Sequence, residues 1–79
     1  MSEMPWKVLS TLLVSGAQSP ERALSSHDLA RQLGIEGVQL QSEIEALERR
    51  GYILFVVHND VRRLYLTLTG IIAASSVYS

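Results

Sequence analysis

The side chains best suited to chemistry in this chain are two histidines, and neither lies in a catalytic or metal-binding pattern. Ser26 and Asp28 flank His27, but they lie where helix-capping residues belong and not in a recognisable catalytic order. His58 and His27 have no acidic cluster at the spacing of metal ligands, and the chain contains no cysteine. We therefore predict no catalytic residue, no metal site and no cofactor, and we expect a protein that is not an enzyme.

A second group of polar side chains suits contact with nucleic acid. The first 47 residues have a net charge of −3, and the remaining residues have a net charge of +2. Arg49 and Arg50 fall near a predicted helix end, where they complement the helix dipole. Arg62 and Arg63 are equally consistent with phosphate contact and with a solvated strand that resists edge-to-edge aggregation. Because consecutive strand residues point to opposite faces, we do not expect both to touch one ligand equally.

Two helices are predicted in the first part of the chain. Apolar periodicity predicts a helix over about Pro5–Ser15, followed by a loop at Gly16–Ala23. Ser25 has the character of an N-cap, with Asp28 three residues later as in a shortened capping box. Gly34 is expected to end this second helix, because glycine accepts the positive φ of a helix C-terminus.

A third helix and a hairpin follow. The helix is expected to begin near Glu36–Val38 and to end at Gly51. Residues 52–57 are rich in β-branched and aromatic side chains and predict a strand, His58-Asn59-Asp60 predicts a turn, and residues 61–67 predict a second strand. After Gly70, the segment Ile71–Tyr78 is compatible with a short helix.

Three segments in this order resemble winged helix-turn-helix transcriptional regulators. Residues 29–35 (Leu-Ala-Arg-Gln-Leu-Gly-Ile) are similar to the LAxxLGI run of bacterial and archaeal regulators. Residues 47–53 (Leu-Glu-Arg-Arg-Gly-Tyr-Ile) are similar to the LExxGYI that leads into their wing. Residues 65–70 (Tyr-Leu-Thr-Leu-Thr-Gly) are similar to the YxLTxxG that closes the wing in MarR-like and related families.

The resemblance implies an α+β winged helix: a three-helix bundle with a helix-turn-helix, a two-stranded β-wing and a short C-terminal helix. We expect one domain over residues 1–79, with the helix-turn-helix at about 25–51, the wing at about 52–67 and the C-terminal segment at 70–79.

The resemblance also implies double-stranded DNA as a partner, with the third helix in the major groove and the wing on the backbone or in the minor groove. The implied recognition-helix contacts are Val38, Gln39, Gln41 and Ser42, where the glutamines suit adenine edges. The implied wing and phosphate contacts are Arg62, Arg63, Ser25, Ser26 and Arg31, with the serines at a helix N-terminus.

The third helix departs from this family, because residues 36–48 contain four glutamates and no lysine or arginine. Affinity for DNA depends largely on neutralising phosphates, so such a helix starts at a disadvantage. Two interpretations remain. The first is a homodimeric DNA-binding regulator that gains much of its contact from the wing. The second is a winged-helix protein-interaction module that docks through the acidic helix and the apolar C-terminal tail.

Size and composition favour a small protein that associates with itself. A core drawn from 79 residues is marginal, and a partner subunit often stabilises such domains. The uncharged tail, together with the first helix, predicts a dimer interface, although the tail could instead fold back on the first helix within one chain. The interface residues are Trp6, Ile71, Ile72 and Tyr78. The acidic N-terminus, the absence of cysteine and an apolar run too short to span a bilayer predict a cytoplasmic protein without a membrane partner.

Overall fold

The computed structural model describes residues 3–76, which form four α-helices and a three-stranded antiparallel sheet. A short 3-10 helix precedes the first strand. In chain order the elements are α1 (Met4–Val14), the 3-10 helix (Pro20–Arg22), β1 (Leu24–Ser25), α2 (Ser26–Leu33), α3 (Gly37–Arg49), β2 (Ile53–His58), β3 (Val61–Leu66) and α4 (Leu68–Ser75).

Capping interactions and left-handed glycines define the ends of α2 and α3. The Ser25 Oγ accepts a hydrogen bond from the Asp28 N–H at 3.1 Å, which satisfies one of the free donors at the start of α2. Gly34 ends α2 with a φ of 69°, in the left-handed region. Gly51 follows the C-terminus of α3 with a φ of 76°, so the chain turns there into the hairpin.

The wing has a tight turn, and the sheet has a third strand outside the wing. Asn59 and Asp60 both have positive φ values, 52° and 63°, as a two-residue hairpin turn that matches strand twist requires. The predicted two-stranded wing is confirmed by the pairing of β2 with β3, but a third strand of the sheet was not predicted: β1 pairs with β3 and places Leu24 opposite Leu64. A strand of two residues has no measurable period, so its sequence contains no signal for the pairing.

The C-terminal helix begins earlier than predicted, at Leu68 instead of Ile71. The Thr67 Oγ1 caps it by accepting from the Gly70 N–H at 3.0 Å. Gly70 therefore lies inside the helix and does not break it. A Cβ at this position would meet the backbone of Tyr52, with the carbonyl carbon 2.9 Å away, so glycine allows α4 to lie against the chain that leaves α3.

The hydrophobic core lies where the helices meet one face of the sheet. Helix α4 packs on α1 and closes the core from the C-terminal side, with Ala74 fully buried. The largest fully buried side chains are Val8, Leu9, Leu12, Leu29, Leu40, Ile44, Ile53, Leu64 and Leu66. Across residues 3–76, no helix is long and apolar enough to cross a membrane.

Candidate nucleic-acid interface

The first half of α3 presents an uncharged surface to solvent. Val38 is 84% exposed, and the neighbouring polar side chains predicted to contact bases, Gln39, Gln41 and Ser42, are also exposed. Their hydrogen bonds stay within the helix: Gln41 donates to a Glu45 carboxylate oxygen at 3.4 Å, and Ser42 donates to the Gln39 carbonyl at 3.2 Å. Such exposed local bonds can be exchanged for a partner's acceptors at small cost.

The acidic residues of α3 flank this surface. Glu36 is the N-terminal flanking residue of the helix, and Glu43, Glu45 and Glu48 belong to its second half. Glu43 is half-buried, whereas Glu36, Glu45 and Glu48 are exposed. Residues 37–42 carry no charge, so the stretch with the predicted base-contacting residues is neutral while the helix as a whole is acidic.

The two wing arginines differ in environment, as expected for consecutive strand residues. Arg62 is exposed, and its guanidinium carbon lies 3.8 Å from the centroid of the Phe55 ring. Arg63 is half-buried and donates from Nη1 to the Ala23 carbonyl at 3.5 Å. Its Nε is buried without a hydrogen-bond partner. Arg62 is therefore the wing arginine available to a ligand, and Arg63 is partly committed to the contact between the wing and the segment before β1.

The N-terminus of α2 offers a second place for an anion, though not through Ser25. That side chain is buried and is used to cap α2, so the prediction that it contacts a phosphate is not supported by its position. Ser26 and Arg31 line a groove of about 450 Å³ between the N-terminal ends of α2 and α3. Arg31 pairs with Asp28 at 3.4 Å, but its side chain is 75% exposed, so this pair is easily exchanged for a phosphate.

The predicted dimer residues are divided between the interior and the surface. Ile71 is half-buried and packs against the core, which agrees with the alternative that the tail folds back on the first helix. Ile72 remains 64% exposed and Trp6 43% exposed. Trp6 also lines a groove of about 750 Å³ together with Ser76, which lies one helical turn beyond Ile72. Tyr78 lies outside the described residues.

The described part of the chain contains no group of three or more His, Cys, Asp or Glu side chains that could hold a metal ion.

Comparison with solved structures places this geometry in a known fold. The structure of the Staphylococcus aureus MepR–DNA complex superposes with a TM-score of 0.83 at 21% identity, and covers 99% of this chain. TubR from Bacillus megaterium gives a TM-score of 0.89 at 20% identity over 99% of this chain. The fold is a winged helix. The MarR-family transcriptional regulator SPO1453 from Silicibacter pomeroyi gives a TM-score of 0.78 at 23% identity.

These likenesses confirm the predicted fold. The winged helix of this protein spans 62% of the MepR chain in the DNA complex, 52% of SPO1453 and 87% of TubR. No protein-family model matches the sequence, and no curated protein matches it.

Sequence reasoning missed Phe55 as part of this candidate interface. Phe55 and Arg62 are seven positions apart, and only the register of the hairpin brings them together. The Asn59-Asp60 pair could have indicated this contact, because a two-residue turn at these positions places Val57 opposite Arg62. Phe55 lies two residues before Val57 and therefore on the same face of the sheet as Arg62.

Proposed function

We propose that this winged-helix protein is a DNA-binding transcriptional regulator that acts as a homodimer and without catalysis. The observation that carries the proposal is the position of an uncharged, exposed helix surface in a fold that also presents an uncommitted arginine on its wing. The likeness to MepR, which was solved in complex with DNA, supports this choice, as does the likeness to a MarR-family regulator. The same proposal includes two further predictions from the sequence, namely that residues 1–79 form one domain and that the protein is cytoplasmic.

In this proposal, residues 37–42 of α3 enter the major groove. Gln39 and Gln41 have the donor and acceptor pair that matches an adenine edge, and Ser42 can serve a base or a phosphate. Val38 is the most exposed large hydrophobic side chain of the described residues, and it suits the methyl group of thymine. A neutral contact surface of this kind can supply base selectivity, but it neutralises no phosphate.

Phosphate contacts must therefore come from outside α3. Arg62 on the wing is one source, and the N-terminus of α2, with Ser26 and Arg31, is the other. The free backbone N–H groups of a helix N-terminus and its positive dipole end favour an anion. The exposed glutamates in the second half of α3 oppose this attraction, so we expect binding that is weak for one chain and strongly dependent on salt.

A homodimer would double these phosphate contacts. The outer row of α4 exposes Leu68 by 74% and Ile72 by 64%, one helical turn apart, and Ser76 continues this row to the groove beside Trp6. Contiguous exposed apolar side chains on a small domain mark an interaction surface. We assign this surface, formed by Leu68, Ile72 and Trp6, to a second copy of the chain.

The DNA proposal is tested by fluorescence anisotropy with a labelled duplex of mixed sequence over a series of salt concentrations. The wild-type protein should bind at low salt, and affinity should fall steeply as salt rises. Arg62→Ala should reduce the slope of log affinity against log salt by about 1 for each protomer bound. Arg49→Ala removes the same charge from the far end of α3 and should leave the slope nearly unchanged. Absence of binding at low salt would refute the regulator proposal and leave the protein-interaction module as the alternative.

The dimer proposal is tested by light scattering at micromolar concentration, where the wild type should have twice the chain mass. Ile72→Glu should give a monomer, because it places a charge in the proposed interface. Val57 on the wing is equally exposed, at 64%, so Val57→Glu is a matched control that should remain dimeric. A monomeric wild type at this concentration would contradict the assignment.

A further inference from the structure

The hairpin places an aromatic ring beneath the exposed wing arginine. Residues 55 and 57 of β2 face the same side of the sheet, and their partners on β3 are Leu64 and Arg62. Phe55 is therefore the diagonal neighbour of Arg62, within reach of a long side chain. The guanidinium carbon lies 3.8 Å from the ring centroid, well inside the range of a cation–π contact.

The Phe55 ring is fixed by contact with the core, whereas the Arg62 guanidinium on its other side has no other partner among residues 3–76. Phe55 is half-buried and packs against the hydrophobic core, so its orientation is determined by the interior of the domain. Arg62 forms no hydrogen bond or ion pair with another residue of the described range 3–76. A guanidinium that stacks by its face keeps its N–H donors at the edge, where they remain available.

We propose that Phe55 is a positioning residue that holds the Arg62 guanidinium ready for an acceptor oxygen of DNA. This inference rests on the proposed function. A long, flexible side chain loses rotamer freedom when it binds, and a contact that orders the side chain beforehand reduces that cost. Phe55 itself needs no contact with DNA, since it acts through Arg62.

A double-mutant cycle in DNA binding tests the proposal. Phe55→Leu should weaken binding of the duplex about 2- to 5-fold when Arg62 is present, as expected for loss of an exposed cation–π contact. In the Arg62→Ala background the same substitution should have no effect, because the group that Phe55 positions is gone. Phe55→Tyr should preserve wild-type affinity, since the ring face is retained.

The controls separate positioning from general damage to the wing. Tyr65→Leu removes an aromatic side chain from the opposite face of the hairpin, where it pairs with Leu54, and should leave DNA affinity unchanged. Thermal melts of every variant establish that binding is measured on folded protein. An equal loss on Phe55→Leu with and without Arg62 would overturn the proposal.

A second measurement needs no DNA, and its decisive result comes from the wild-type protein. In the wild-type protein, NMR should show the δ-protons of Arg62 shifted upfield by the ring current of Phe55, and Phe55→Tyr should keep the shift. Unshifted Arg62 δ-protons in the wild type would overturn the positioning role even if DNA binds. Failure of the wild type to bind DNA, with the ring-current shift present, would instead refute the proposed function and leave the stacked pair in place.

Discussion

Gly70→Ala is expected to destabilise the domain, although alanine is the better helix former. Gly70 lies in the first turn of α4, and a Cβ there would overlap the Tyr52 carbonyl oxygen and lie 2.9 Å from the Tyr52 carbonyl carbon. It would also approach the Leu66 Cδ2 at 3.2 Å. The leucine side chain can move, but the Tyr52 carbonyl cannot move freely, because it accepts a hydrogen bond from the Thr67 N–H at 3.0 Å.

Two opposing effects determine the magnitude. Replacing glycine by alanine inside a helix gains about 1 kcal/mol from intrinsic propensity. Overpacking in a well-packed region costs about 1–3 kcal/mol, and a backbone obstacle places this site at the upper end of that range. The net loss in the free energy of unfolding is then about 2 kcal/mol. For a domain of this size, that loss lowers Tm by about 8–16 °C.

The assay is thermal and urea unfolding followed by circular dichroism, with a second glycine as a matched control. Gly37 begins α3 with an ordinary negative φ, and a Cβ there would have no neighbour within 4 Å. Gly37→Ala should therefore raise stability by about 0.4–1 kcal/mol, since it restricts mainly the unfolded chain. If Gly70→Ala melts at or above the wild-type temperature, the argument from the Tyr52 carbonyl is refuted.

Two further predictions concern single hydrogen bonds and turns. Thr67→Val should lower the free energy of unfolding, measured in urea, by about 1–2 kcal/mol, because the Thr67 Oγ1 both caps α4 and donates to the Gly51 carbonyl at 2.6 Å. A decrease of less than about 0.3 kcal/mol would contradict the capping role. Asp60→Gly should raise stability by up to about 1 kcal/mol, because Asp60 holds a φ of 63° that glycine adopts without strain. An unchanged or lower midpoint for Asp60→Gly would show that the turn is not strained.

The helix-turn-helix was predictable from sequence because its limits depend on local interactions. Ser25 caps α2 through a bond to a residue three positions away, and Gly34 and Gly51 adopt the positive φ values expected of helix ends. The order of the α-helices and the hairpin follows equally from local periodicity, and the winged helix was predicted from the resemblance of three segments that occur in this order. The start of α4 was misplaced because the reason for Gly70 is a contact with Tyr52, which is distant in sequence.

The candidate interface was predictable in part. The exposed polar positions of α3, Gln39 and Gln41, follow from helical periodicity once the apolar stripe is known. The different environments of Arg62 and Arg63 do not follow from the sequence. The alternation of side chains along a strand places the two arginines on opposite faces of the sheet, but it does not indicate which face is covered. The strand β1 decides this, because its pairing with β3 brings Ala23 within hydrogen-bonding distance of Arg63.

The sequence by itself determined the α-helices and the hairpin, their order and the uncharged surface of α3, because caps, turns and periodicity act over a few residues. Only the tertiary structure decided which polar groups remain free. Ser25 is buried as a cap and Arg63 is half-buried against the segment before β1, whereas Arg62 lies on Phe55 with its donors exposed. The physical reason is that availability depends on what packs over a side chain, and the covering residues come from elements far apart in the chain.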